Sequence, residues 1–193
     1  MVLKPVTGDA VDTLIWLDKV ARPQLVETGL RLALAVRSEG GAVVIEGWTA
    51  TSWLNGKPTP GRWKAKAEVT RHFAQASSNM NPRLLPNRDD LLARAERAGW
   101  AGEDDTPLGH RPLSPLLRPV DASPAVVDGD IAGNVLFSPG HPPAVIDLSL
   151  YARPVEWFVA VLAIDAVCFQ NAPSRSWTPS APTLPSRSTS LFE

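Results

Sequence analysis

Asp130, Asn134 and Asp147 are the residues of this chain whose types and spacing best suit chemistry, because all three attach to one short hairpin. Val135-Leu136-Phe137 and Ala144-Val145-Ile146 are apolar runs flanking Ser138-Pro139-Gly140-His141-Pro142-Pro143, a cluster of turn residues. Pairing Phe137 with Ala144, Leu136 with Val145 and Val135 with Ile146 sets Asn134 opposite Asp147, and opposed side chains have Cβ atoms about 5 Å apart. A carboxylate and an amide oxygen at that separation suit a hard divalent cation, which fills its other positions with water and phosphate oxygens. Asp130 lies just upstream, in the loop entering the hairpin. An ordinary hairpin also uses Asp and Asn, for turns and caps. What points to phosphoryl transfer is the combination of a Gly-flanked acidic loop, an Asn at one strand start and an Asp at the opposite strand end.

This constellation resembles the active-site plan of kinase-like phosphotransferases, where a catalytic-loop Asp accepts the substrate hydroxyl proton and an Asn and a later Asp hold magnesium on the nucleotide. The chain is similar to the aminoglycoside phosphotransferase branch of that fold. It is more similar to an uncharacterised bacterial kinase-like family with segments like Gly133-Asn134-Val135-Leu136-Phe137, Pro142 through Pro154, and Trp157. The similarity runs from about Val2 to about Val167. It implies an α+β, protein kinase-like two-lobe fold, with ATP as cosubstrate and Mg2+ as its metal. Asp130 is then the base, and Asn134 and Asp147 hold magnesium. Lys4 is the strand lysine that contacts the nucleotide phosphates and pairs with an acid on the next helix. The acceptor implied is a small-molecule hydroxyl lying near Tyr151 and Arg153.

Several features depart from the family pattern. Asp128-Gly129-Asp130 stands where aminoglycoside phosphotransferases read His-Gly-Asp, which adds a carboxylate near the metal. Only Ile131-Ala132-Gly133 separates Asp130 from Asn134, where protein kinases have four residues, so a tighter loop is expected. Beginning at Val2 leaves no room for the Gly-rich loop over the phosphates, and a Ser/Pro-rich tail stands where further helices are expected. The fold is therefore expected to be incomplete at both ends. The alternative, from another class, is a non-catalytic remnant that binds a partner or has no function.

The expected organisation is a remnant of a small β-rich nucleotide-binding lobe over 1–50, a mostly helical large lobe with the hairpin over 51–170, and a disordered tail over 171–193. Val2 to Val6 reads as a strand, with Pro5 at an edge or an end because it lacks an amide donor. Asp9 to Ala21 carries Leu14, Leu17 and Val20 at helical spacing, and its Asp18 is the acid expected to reach Lys4. Leu30 to Arg37 and Ala42 to Trp48 read as strands around the turn Ser38-Glu39-Gly40-Gly41, with a hinge near Glu46 to Ala50. Arg62 to Ala76 reads as a helix with Trp63, Ala67, Thr70 and Phe73 on one face, and Arg88 to Trp100 as another begun by Asn87. Prolines discourage helix between Gly102 and Pro124. Pro154 opens a helix from Val155 to Phe169 whose buried stripe is expected to be Trp157, Val161, Ile164 and Cys168, with Asp165 anchoring the catalytic loop from below.

Composition narrows the classes. At 193 residues and 44% hydrophobic content the chain can bury a sizeable core. Lys and Arg number 19 against 20 Asp and Glu, so no basic field exists to bind nucleic acid. Cys168 is the sole cysteine, which excludes an internal disulfide and a thiolate zinc cluster and suits a small core residue. The start lacks the apolar run and cleavage site of a signal peptide, and Val155 to Phe169 is shorter than the roughly 20 residues that span a bilayer. The expected compartment is the cytoplasm, without membrane association. Trp48, Trp53, Trp63 and Trp157 are expected to pack between lobes or helices. His72 and His110 stand apart from any carboxylate or cysteine cluster and take no role.

Overall fold

The computed structural model describes residues 1–6, 8–26, 29–99 and 122–173. Most of the proline-rich stretch from Gly102 to Pro124, and most of the expected tail, lie outside the described residues. The architecture is mixed α and β.

Strand β1 (Val2–Pro5) leads into α1 (Asp9–Trp16), which continues through a π turn (Leu17–Ala21) into α2 (Arg22–Leu25). The π turn adds a residue to the helical repeat, so Leu17, Asp18 and Ala21 face inward while Val20 is left exposed. Two-residue β2 (Arg31–Leu32) follows, then β3 (Trp48–Thr51), which pairs antiparallel with β1 and sets Lys4 against Thr49. Pro5 occupies the end of its strand, as its missing donor requires.

The expected strand pair around Ser38 to Gly41 does not form. The turn is present, with Gly41 N–H donating to Ser38 O at 2.9 Å, but Ala35 bridges to Thr51 instead. The expected hinge at Glu46 to Ala50 is also corrected. Glu46 and Gly47 both have positive φ, 48° and 77°, and close a tight turn between Ile45 and Trp48, the conformation that matches the twist of flanking strands. The chain leaves β3 later, through 52–56, and enters β4 (Lys57–Pro58). Gly56 is required there, with φ 143° and a Cβ position only 2.9 Å from Leu136 Cβ.

Helix α3 (Trp63–Ala76) is the central support. Trp63 and Ala67 join one apolar cluster, Val69 a second, Phe73 a third and Ala74 a fourth. The third cluster also takes Leu17, Ala21 and Leu25, so the N-terminal helical segment shares a core with Val126 and Leu150. A 3-10 turn (Pro82–Leu84) precedes α4 (Leu91–Gly99). That helix starts later than expected, because Asp90 rather than Asn87 caps it by accepting from Leu92 and Ala93 N–H.

Strand β5 (Ala125–Asp128), the single turn α5 (Ile131–Asn134), β6 (Val135–Phe137), β7 (Ala144–Val145) and β8 (Leu150–Arg153) then build the hairpin region, closed by α6 (Val155–Phe169). β5 and β8 pair antiparallel, while β2, β7, β6 and β4 form a second sheet in that order. The buried face of α6 is Phe158, Val159, Leu162 and Ala166 rather than the expected stripe, and Ile164 and Cys168 are exposed. Trp63 is buried as expected, whereas Trp48 and Trp53 are exposed. No helix of the described residues is long and apolar enough to cross a membrane.

Candidate active site

A cavity of about 990 Å3 opens between the β1–β3 pair, the N-terminal helical segment and the β6–β7 hairpin, and Lys4 and Asp147 both line it. Lys4 Nζ donates to Asp147 Oδ1 at 2.6 Å, across 143 positions of sequence. Both side chains face solvent, so the pair contributes under about 1 kcal/mol to folding. A ligand can therefore exchange for it at small cost.

Asp147 takes the left-handed backbone conformation at φ 56°, one of three non-glycine residues among those described to do so. Such positions are rare outside glycine and collect at functional sites. The strand register explains it. Val135 pairs with Val145 and Leu136 with Ala144, one residue out from the expected register, so Asn134 meets Ile146: Ile146 N–H donates to Asn134 O at 3.0 Å. Phe137 lies outside the β6–β7 ladder; it pairs with Lys57 on β4, and the Arg62 guanidinium lies 3.9 Å from its ring centroid. Asp147 then falls beyond the ladder. Its peptide rather than its side chain faces Asn134, whose Nδ2 reaches Asp147 O at 3.5 Å.

The three spacer residues between Asp130 and Asn134 form one helical turn, which is how the loop shortens. One turn stacks positions four apart, and Asn134 Nδ2 donates to Asp130 Oδ2 at 3.1 Å. Burial raises the Asp130 carboxyl above the ordinary value, the Asp147 charge adds to this, and the Asn134 amide opposes it. Sequence reasoning thus named Asp130, Asn134, Asp147 and Lys4, and the fold brings all four together.

Asp18 is not the partner of Lys4. It is 7% exposed and accepts from Arg22 Nε at 2.7 Å and Arg37 Nε at 3.0 Å. Burial pushes its carboxyl up, but hydrogen bonds from Arg37 and Arg22 outweigh that and leave it below the ordinary value. Arg22 also donates to Ala35 O, tying the helical segment to the chain beside β3. Arg153, near which the acceptor is expected to lie, has its guanidinium held by Glu96 on α4 at 2.6 Å, with both side chains largely buried. Tyr151 packs on Phe158 with ring centroids 5.2 Å apart. Asp165 makes no hydrogen bond to the loop among the described residues; burial and the Asp130 charge raise its carboxyl.

Asp128 was read only as added charge, yet it organises the loop. It is 1% exposed, and its Oδ1 accepts from Ser149 N–H at 2.9 Å and Asp130 N–H at 3.4 Å. Gly129 N–H donates to Ser149 O at 2.8 Å. Two of these bonds, Ser149 N–H to Asp128 Oδ1 and Gly129 N–H to Ser149 O, clasp the Asp128–Asp130 loop to the post-hairpin segment, and the third holds the loop to itself. Burial, with smaller contributions from Asp130 and Asp147, lifts the Asp128 carboxyl to about 7 against the two backbone hydrogen bonds, so the added negative charge is only partly present near neutrality.

Among the described residues no group of three His, Cys, Asp or Glu side chains is arranged to hold a metal. The donors at the hairpin are mixed instead. Asp147 Oδ2 is left over once Lys4 takes Oδ1, and Asn134 presents Oδ1 because its Nδ2 makes the hydrogen bonds. Both are hard oxygen donors, the type magnesium takes through few protein groups beside water and phosphate oxygens. No protein-family model matches the chain, and comparison with curated proteins finds no similar sequence.

Proposed function

We propose that the chain is a kinase-like phosphotransferase relative, built on a protein kinase-like two-lobe plan, which moves the γ-phosphoryl group of ATP to a small-molecule hydroxyl. The observation that carries this reading is the Lys4–Asp147 ion pair on the wall of a large cavity, beside the linked pair Asp130 and Asn134. That is the residue set phosphoryl transfer uses for positioning and charge stabilisation.

In this reading the nucleotide occupies the cavity and Lys4 turns from Asp147 to the α- and β-phosphates. Asn134 and Asp147 would hold magnesium, which supplies charge neutralisation on the phosphates when bound. Asp130 accepts the proton of the acceptor hydroxyl as the new oxygen–phosphorus bond forms and the bond to the β-phosphate oxygen breaks, releasing ADP. Its raised carboxyl suits a general base, since proton acceptance improves as the pKa approaches the working pH. Asn134 orients that carboxylate through the 3.1 Å hydrogen bond.

The test is isothermal titration of Mg-ATP into the full chain and into Asn134→Ala and Lys4→Met. Measurable affinity that falls at least about tenfold in each variant supports the reading, that being the effect of losing about 1.4 kcal/mol. Equal affinity in all three proteins, or none in the parent, overturns it. ATP binding with no transfer to any hydroxyl in a panel of small alcohols, sugars and amino sugars favours the non-catalytic alternative.

A further inference from the structure

Lys66 is among the largest fully buried side chains of the described residues, 1% exposed on the inner face of α3. Burying an ammonium costs several kcal/mol unless its donors are satisfied, and an apolar side chain of similar length would fill the same space without that cost. Among the described residues no carboxylate is paired with it. Its Nζ instead donates to Ala132 O at 2.5 Å and lies 4.7 Å from the centre of the Trp63 ring. Burial disfavours its charged form and lowers its pKa.

Ala132 belongs to α5, a single turn of four residues that runs directly into β6. A turn this short cannot sustain itself, since nucleation fixes several residues for one hydrogen bond. Its carbonyls also lack the following turn that would satisfy them. Lys66 supplies the missing donor from outside, at the midpoint between Asp130 and Asn134.

We propose that Lys66 is a positioning residue which pins the α5 turn and so fixes the separation of Asp130 and Asn134. The purpose of that separation rests on the phosphotransferase reading, whereas the pinning does not. The test is backbone hydrogen exchange on the full chain, comparing the parent with Lys66→Met, which keeps the apolar stem, and with Lys66→Gln, which keeps a neutral donor one atom shorter. A hydrogen bond from a charged donor is worth enough that Lys66→Met should speed exchange over 130–135 about tenfold or more. Exchange in the central turns of α6 should stay within about twofold. A second readout is the magnesium concentration that half-saturates nucleotide binding, expected to rise in Lys66→Met and to recover in part in Lys66→Gln.

Unchanged exchange over 130–135, or equal acceleration there and in α6, overturns the inference. Should Lys66→Met fail to fold, the same comparison in Lys66→Leu, which also removes the donor, decides it by the same criterion. Local loosening in a protein whose parent form binds no Mg-ATP would uphold the pinning and reject the phosphotransferase reading.

Discussion

Asp128→Asn is expected to stabilise the protein in a way that depends on pH. Asp128 is 1% exposed and its Oδ2 has no hydrogen-bond partner among the described residues. Burial lifts its carboxyl from 3.8 to about 7, about 3 pH units at about 1.36 kcal/mol each, or about 4 kcal/mol in all. The folded protein therefore holds this proton to higher pH than the unfolded chain does. The associated stability is complete below pH 3.8 and is lost as pH rises to about 7. Asn has no proton to lose, and its Oδ1 can still accept from Ser149 and Asp130 N–H. Relative to the parent, the variant should gain about 1 kcal/mol between pH 4 and 5 and about 4 kcal/mol between pH 4 and 8. Its unpaired amide adds a constant of about 1–3 kcal/mol that does not vary with pH, so the change across pH is the quantity to read. Urea unfolding of both proteins at pH 4, 5, 6 and 8 measures it, and the change is large against a native stability of about 5–15 kcal/mol. Parallel stability curves for the two proteins would refute the assignment of a buried, proton-holding Asp128.

Two further outcomes test the packing around the loop. Gly129→Ala should destabilise by about 1–3 kcal/mol in urea unfolding, because a Cβ there would lie 2.5 Å from Tyr151 Cε2 and 2.7 Å from Phe158 Cε1. Leu162→Ala should cost about 2–5 kcal/mol while Ile164→Ala costs under about 1 kcal/mol, since Leu162 is 2% and Ile164 61% exposed. Equal costs at the two positions would return α6 to the face expected from sequence.

The pattern of legibility follows from what each signal measures. Helix α3 was readable because Trp63, Ala67 and Phe73 mark one face and Pro60-Gly61 its start. Pro154 likewise fixed the start of α6, but that helix is apolar nearly all round, so periodicity could not select the face that meets α3. Turn residues located the β6–β7 hairpin, but a long turn does not set the register, which fell one residue from the expected pairing. Lys4 and Asp147 were each named from sequence, yet their contact needed the fold to carry β1 over the hairpin. Lys66 went unread although it lies three residues after Trp63, on the apolar side of α3. A lysine on such a stripe is the signal that could have found it.

The most direct test of the site is urea unfolding of the full chain with and without Mg-ATP, beside Asp147→Ala. At a ligand concentration of about 100 times Kd, binding to the native state adds about 2.7 kcal/mol. The expected result is a gain of that size in the parent that requires magnesium and disappears in Asp147→Ala. A parent protein that unfolds cooperatively with no gain, or a gain that Asp147→Ala retains in full, would contradict a magnesium-nucleotide site at the hairpin.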